Sequence, residues 1–179
     1  MRTRLWVVTA VVALVVSGGG VAAWSATRRH APVPAALHDD LTARVVRLLE
    51  ADLAWANEIT MEPGRQPVCE AALFGLDPVD ARDVGQVRSV YAWVSCKWLP
   101  PAGQRAGLTA RDLSGAVVPI AVRLGRTNHV EVPRDGESTY PADIRRIFPR
   151  DVRDVAFDGS PALDAANTRV DARVTALLA

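Results

Sequence analysis

The stretch VRSVYAWVSCKW, from Val87 to Trp98, holds Tyr91, Trp93, Cys96 and Trp98, two of the five tryptophans and one of the two cysteines in the chain. Such residues support three kinds of chemistry. A thiolate beside a base is a nucleophile, two thiols in an oxidising compartment become a disulfide, and amphipathic aromatics on one face recognise a partner or a sugar. A nucleophilic Cys96 needs a base within reach. The histidines are His30, His38 and His129, which fall in a linker, at the first helix and on a distant strand. No catalytic residue is therefore expected, and Cys69 with Cys96 reads as a disulfide.

Strand pairing tests that reading. With Cys69 opposite Cys96 in an antiparallel hairpin, Ala71 meets Val94, Leu73 meets Ala92 and Gly75 meets Val90, so one face is apolar or small throughout. Directly opposed Cα atoms lie about 4.5 to 5.5 Å apart, within reach of a disulfide. The other face then sets Glu70 against Ser95, Ala72 against Trp93 and Phe74 against Tyr91. Both faces are too apolar for water. Either the first and last helices cover them, or Tyr91, Trp93 and Phe74 stay partly exposed as a binding face for an envelope protein or glycan.

Other polar groupings are weaker. His129 and Glu131 stand two apart on the outward side of a strand, but spacing supplies no third ligand, so no metal is expected. Arg145, Arg146, Arg150 and Arg153 can gather an anion, yet Asp143, Asp151 and Asp154 interleave with them, which describes a solvated, ion-paired surface. Asp135-Gly136 and Asp158-Gly159 are turn dipeptides. There is no G-x-S-x-G, phosphate loop or zinc-protease helix motif, and no cofactor is implied.

The elements that must position these residues follow from hydrophobic period. Leu37, Leu41, Val45, Leu48, Leu49 and Leu53 form a helical stripe, with Asp39 and Asp40 near its positive end, predicting a helix over residues 36–58 that Pro63-Gly64 stops. Strands are expected at Val68–Gly75, Gln86–Trp98, Gly115–Leu124 and His129–Pro133. In the second hairpin Leu124 should oppose Val130 and Val122 oppose Val132, leaving a loop centred on Thr127 with Gly125 at positive φ. Pro119 cannot donate to a ladder, which places its strand at an edge or beside a bulge. The long connection Leu99–Ser114, with Pro100, Pro101, Gly103 and Gly107, reads as a disordered or simple crossover. A short helix is expected between Ser138 and Pro149, a further turn over Asp151–Phe157, and a last helix after Ser160-Pro161 striped by Leu163, Ala166, Val170, Val174 and Leu177. The order is helix, four strands, helices. That is an α+β class with a four-stranded antiparallel meander of two hairpins, similar in element order to the cystatin-like superfold.

The chain has 179 residues and a formal net charge of +1, which suits one globular unit and excludes a strongly basic nucleic-acid binder. Without Arg2 and Arg4 the balance becomes 19 basic to 20 acidic residues. Those two arginines precede an apolar or small-residue run, Leu5 to Trp24, followed by Arg28 and Arg29. About 20 helical residues at 1.5 Å rise span a bilayer core of roughly 30 Å. Residues 1–24 therefore read as a membrane-spanning anchor inserted in the cytoplasmic membrane through residues 5–24. The alternative is a signal peptide cleaved after Val21-Ala22-Ala23, which leaves the protein secreted. Residues 25–35 form a linker and residues 36–179 a single extracytoplasmic domain.

Residues 86–157, with YAWVSCKW, VVPIAVRL and VEVPRDGESTYPADIRRIFP, resemble uncharacterised small exported or membrane-anchored proteins of GC-rich actinobacteria. The resemblance implies an envelope location and assigns no catalytic residue. The expectation is a non-enzymatic, envelope-associated binding or accessory module. The alternative is a small envelope hydrolase with an unrecognised site.

Overall fold

The computed structural model describes residues 32–52, 55 and 64–179. The anchor or signal segment 1–24, most of the linker, and residues 53–54 and 56–58 of the expected first helix lie outside the described residues. Among the described residues no helix is long and apolar enough to cross a membrane.

Helix α1 spans Ala35–Ala51 and buries Leu37, Leu41, Val45 and Leu49, residues at four-residue spacing on one face. Four antiparallel strands follow, β1 (Gln66–Asp77), β2 (Ser89–Leu99), β3 (Gly115–Arg123) and β4 (His129–Glu131), in spatial order β1-β2-β3-β4. Three helices close the chain: α2 (Thr139–Ile147), α3 (Arg153–Asp158) and α4 (Ala162–Leu178). The fold is α+β, with one antiparallel sheet and helices before and after it in sequence. Pro149 follows α2, and Gly159, at φ 90°, ends α3 in a conformation that glycine adopts without steric cost.

The expected pairing of β1 with β2 holds from Cys69↔Cys96 through Leu73↔Ala92 and then shifts. Gly75, not Phe74, opposes Tyr91, and Leu76, not Gly75, opposes Val90, so Phe74 is the extra residue of a bulge. A Cβ on Gly75 would sit 2.7 Å from Val152 Cγ1 and 3.2 Å from Tyr91 Cδ2, so the strand can turn this position toward the helices only without a side chain. The bulge keeps Phe74 with the aromatics and sends Leu76 to the opposite core.

The second hairpin keeps its predicted faces but slips by two residues, pairing Val122 with Val130 and Arg123 with His129. A two-residue slip preserves which side each side chain takes. Leu124 instead donates its N–H to the carbonyl of Arg88 at 2.7 Å, extending the pairing with β2. Gly125 is not at positive φ; its N–H donates to Asn128 Oδ1 at 3.4 Å. Pro119 lies on the stretch of β3 that β4 does not reach.

Three cores result. Between α1 and the sheet, Leu41, Val45 and Leu49 pack on Cys69, Ala71, Leu73, Val90, Ala92, Val94, Ile120 and Val122. On the opposite face Ile144, Ile147, Phe148, Val152 and Ala156 cover Ala72, Phe74, Tyr91, Trp93 and Ala121. At the far end of that face α4 sets Val170 and Val174 on Val68, Leu99, Ala110 and Leu113. The connection Leu99–Ser114, expected as a disordered or simple crossover, is instead a long hairpin connection between the neighbouring strands β2 and β3. It forms two short 3-10 turns, Ala102–Gln104 and Ala110–Asp112, and its Ala110 and Leu113 are buried. Leu177 is exposed, because the buried stripe runs Val170, Val174 and on to Leu178, which packs against this core in the last turn.

Candidate functional site

Cys69 and Cys96 form a disulfide, with Cα atoms 4.1 Å apart and side chains 0% and 2% exposed. The neighbouring hydrogen bonds explain the closeness. Glu50 Oε1 accepts the Cys69 N–H at 2.9 Å, and Arg173 donates to the Cys69 carbonyl, so both backbone groups of Cys69 point away from β2. Cys69 and Cys96 are consequently a non-hydrogen-bonded pair, the kind in which antiparallel strands approach nearest.

Around this strand lies a charged network absent from the sequence reading. Arg173 reaches Glu50 Oε1 at 2.9 Å and Glu70 Oε1 at 3.2 Å, and Arg169 reaches Glu70 Oε2 at 3.0 Å. Arg169 and Arg173 are one helical turn apart on α4, a spacing that puts both on one face. Only that spacing was visible beforehand. On β2, Lys97, the single lysine, donates to the Ala110 carbonyl at 2.6 Å and pairs with Asp171 at 3.1 Å.

The aromatic residues singled out from sequence come together as expected, but under cover. Phe74 and Tyr91 hold their rings 6.0 and 5.9 Å from that of Phe148, and Trp93 donates its indole N–H to the Val155 carbonyl at 2.8 Å. Trp93 is 8% exposed and the other two are buried as well. The reading in which Tyr91, Trp93 and Phe74 stay partly exposed is thereby corrected: α2 and α3 supply the apolar cover, whereas the last helix, expected there, contributes Ala166. Burial pushes the Tyr91 phenol above its ordinary pKa, although Arg123 and a hydrogen bond with Ser89 pull the other way, so the ring enters as a neutral group.

Glu131 does not act with His129. Its partial burial favours the neutral acid, but hydrogen bonds and charge from Arg123 at 3.0 Å and Arg146 at 2.9 Å outweigh that and hold it below the usual carboxylate range. His129 is exposed, and among the described residues no group of three His, Cys, Asp or Glu side chains is placed to hold a metal. A shallow depression of about 320 Å³ between α1 and β4 is lined by Leu48, Ala51, Asp52, Asn128 and Val130, so it does not converge on this pair.

Of the arginines and aspartates that interleave in sequence, Arg146 and Asp143 pair at 3.3 Å, and the closest partner of Asp143 is Arg134, outside that set. Asp143 is 2% exposed and accepts from Arg134 Nε at 2.7 Å, Arg134 Nη2 at 3.1 Å and the Arg134 backbone N–H at 3.1 Å, with Arg146 Nε at 3.3 Å. Those side-chain and backbone hydrogen bonds from Arg134 hold its carboxyl far below the usual range. Arg153 donates to the carbonyls of Arg145 and Phe148, tying the end of α2 to α3. These carboxylates are acceptors fixed by arginine, suited to positioning elements and not to giving up a proton near neutrality. No protein-family model, curated protein or solved structure matches the chain.

Proposed function

We propose that this chain is an exported, envelope-associated domain, tethered at the cytoplasmic membrane through residues 5–24 and acting without catalysis as a binding or accessory module for an envelope protein or glycan. The observation that carries the reading is the buried disulfide between Cys69 and Cys96, the state that pairs of cysteines reach and keep in oxidising compartments. The apolar run Leu5–Trp24 with its arginine flanks adds the means of export and retention. The engagement of Glu50, Glu70, Glu131 and Asp143 by arginines suits a module built to hold its shape.

Thiol trapping in cells tests it. Alkylation before and after reduction should find both cysteines protected in the full chain, recovered in the membrane fraction. A variant lacking residues 2–24 should remain in the cytoplasm with both thiols reactive. Full-length protein in the soluble cytoplasmic fraction with two free thiols overturns the proposal. Crosslinking from intact cells, run on the tethered and untethered forms, then identifies what the module touches.

A further inference from the structure

The disulfide belongs to the core between α1 and the sheet, where Leu41, Val45 and Leu49 of α1 lie over the strand residues around it. Cys69 and Cys96 are 0% and 2% exposed. A disulfide exchanges only when a thiolate reaches one of its sulfurs, so this one is closed to reagents while α1 is seated. The cores built on α2, α3 and α4 lie on the opposite face and do not depend on that helix.

Besides its apolar face, α1 is held through one side chain. Among the described residues, Glu50 is the only side chain of Ala35–Ala51 that makes a hydrogen bond or ion pair to another element. His38 and Thr42 bond within the helix. Glu50 Oε1 accepts both the Cys69 N–H at 2.9 Å and Arg173 Nη2 at 2.9 Å, so one oxygen fastens the last turn of α1 to the backbone of the cysteine that α1 covers and to α4. The Glu50 side chain is 26% exposed, and water competes for its contacts. A helix fastened at one partly exposed point is of the kind that opens before the whole domain does.

We propose that α1 is a lid over the disulfide, latched by Glu50, and that thiol exchange at Cys69 and Cys96 proceeds by lifting of this helix while the sheet and its opposite face stay folded. The reagent class is a dithiol. Its thiolate attacks one sulfur of the pair, the bond between Cys69 and Cys96 breaks, and a mixed disulfide forms. The second thiol of the reagent then displaces the protein sulfur. The reagent leaves as a disulfide and the chain holds two thiols, two electrons and two protons having passed from one to the other. With α1 seated again neither sulfur can be reached, so the position of the helix decides when the exchange runs.

The test uses the full chain in a mild detergent, with dithiothreitol as the reagent and alkylation to count free thiols. Reduction of the folded protein should be slow beside that of the chain in denaturant, and its rate should rise less steeply with urea than global unfolding does, because lifting one helix exposes only part of the surface. Glu50→Ala should raise the rate at least about tenfold with the circular dichroism spectrum unchanged. Glu70→Ala unties Arg169 and Arg173 from β1 but leaves the Cys69 N–H on Glu50, and should raise it less. If Glu50→Ala does not fold, Glu50→Gln replaces it; the amide still accepts the Cys69 N–H but lacks the charge that holds Arg173, and its rate should still exceed that of Glu70→Ala. A rate that follows global unfolding in urea, reduction of the folded chain as fast as in denaturant, or equal rates in the Glu50 and Glu70 variants overturns the proposal.

Discussion

Arg173, in the last helix, donates to the carbonyl oxygen of Cys69 across 104 residues of sequence. The same guanidinium meets Glu50 on α1 and Glu70 on β1, so one side chain ties both terminal helices to the edge strand beside the disulfide. Replacing it with alanine removes the side-chain donor of the Cys69 carbonyl and one of two partners from each of Glu50 and Glu70, which keep the Cys69 N–H and Arg169. Hydrogen bonds to charged groups contribute roughly 1.5 to 3 kcal/mol, so Arg173→Ala should destabilise the fold by about 2 kcal/mol in chemical denaturation. Arg173→Lys should recover only part, because an ammonium lacks the planar fork that reaches all three acceptors. Full recovery by lysine would reduce the network to simple charge.

The disulfide closes a loop with a sequence separation of 27 residues. The chain-entropy model gives roughly 3 to 4 kcal/mol for a loop of that length. A Cys69→Ala, Cys96→Ala double variant should lose about that much stability, and reductant should bring the wild-type chain to the same denaturation midpoint. An unchanged midpoint after verified reduction would show that the crosslink adds nothing beyond the packing around it.

The relation of Cys69 to Cys96 was legible in sequence because strand parity is local: one pairing sorted every neighbour onto a face. What escaped depended on distant parts. The bulge at Phe74 turns Gly75 toward Val152 Cγ1, a neighbour that no pattern in β1 reveals. The slip that sets Val130 opposite Val122 escaped, although the faces were right because parity survives a shift of two. Ala110 and Leu113 looked like parts of a structureless loop since they follow no period, yet they fill the space beneath Val170 and Val174. The aromatics were placed on one face correctly. Their cover came from α2 and α3, whose few apolar residues do not announce which surface they meet.

That cover makes Gly75 a sharp test of packing. A Cβ there meets Val152 at 2.7 Å, so Gly75→Ala forces the side chain of Val152 or the start of α3 to move. Overpacking of this kind costs about 1 to 3 kcal/mol. Adding Val152→Ala should return part of the loss, giving a negative coupling energy in a double-mutant cycle. Strict additivity would mean that Val152 is not what the added Cβ meets.

Trp93 should behave as a core residue. Trp93→Phe leaves the Val155 carbonyl without its indole donor at a cost of about 1 to 2 kcal/mol, and Trp93→Ala adds a cavity for about 3 to 5 kcal/mol in all. Thermal melts of both variants provide the check. An alanine variant that melts with the wild type would restore the exposed binding face as an explanation for this side chain.

Asp143 sets an acid limit on the fold. Its carboxylate is buried against Arg134, which holds its pKa well below the ordinary value, whereas in the unfolded chain it returns to about 3.9. A depressed folded pKa contributes stability that is fully present above the unfolded value and is lost as pH falls below it. Glu131, shifted the same way by Arg123 and Arg146 in spite of its partial burial, adds to the slope. Melting temperature should therefore be flat near neutrality and fall below about pH 4. In Asp143→Asn the neutral-pH value should be lower, since an amide cannot accept the Arg134 fork as a carboxylate does, and the acid slope should be shallower. An unchanged slope would remove Asp143 from the account and leave the remaining carboxylates to explain it.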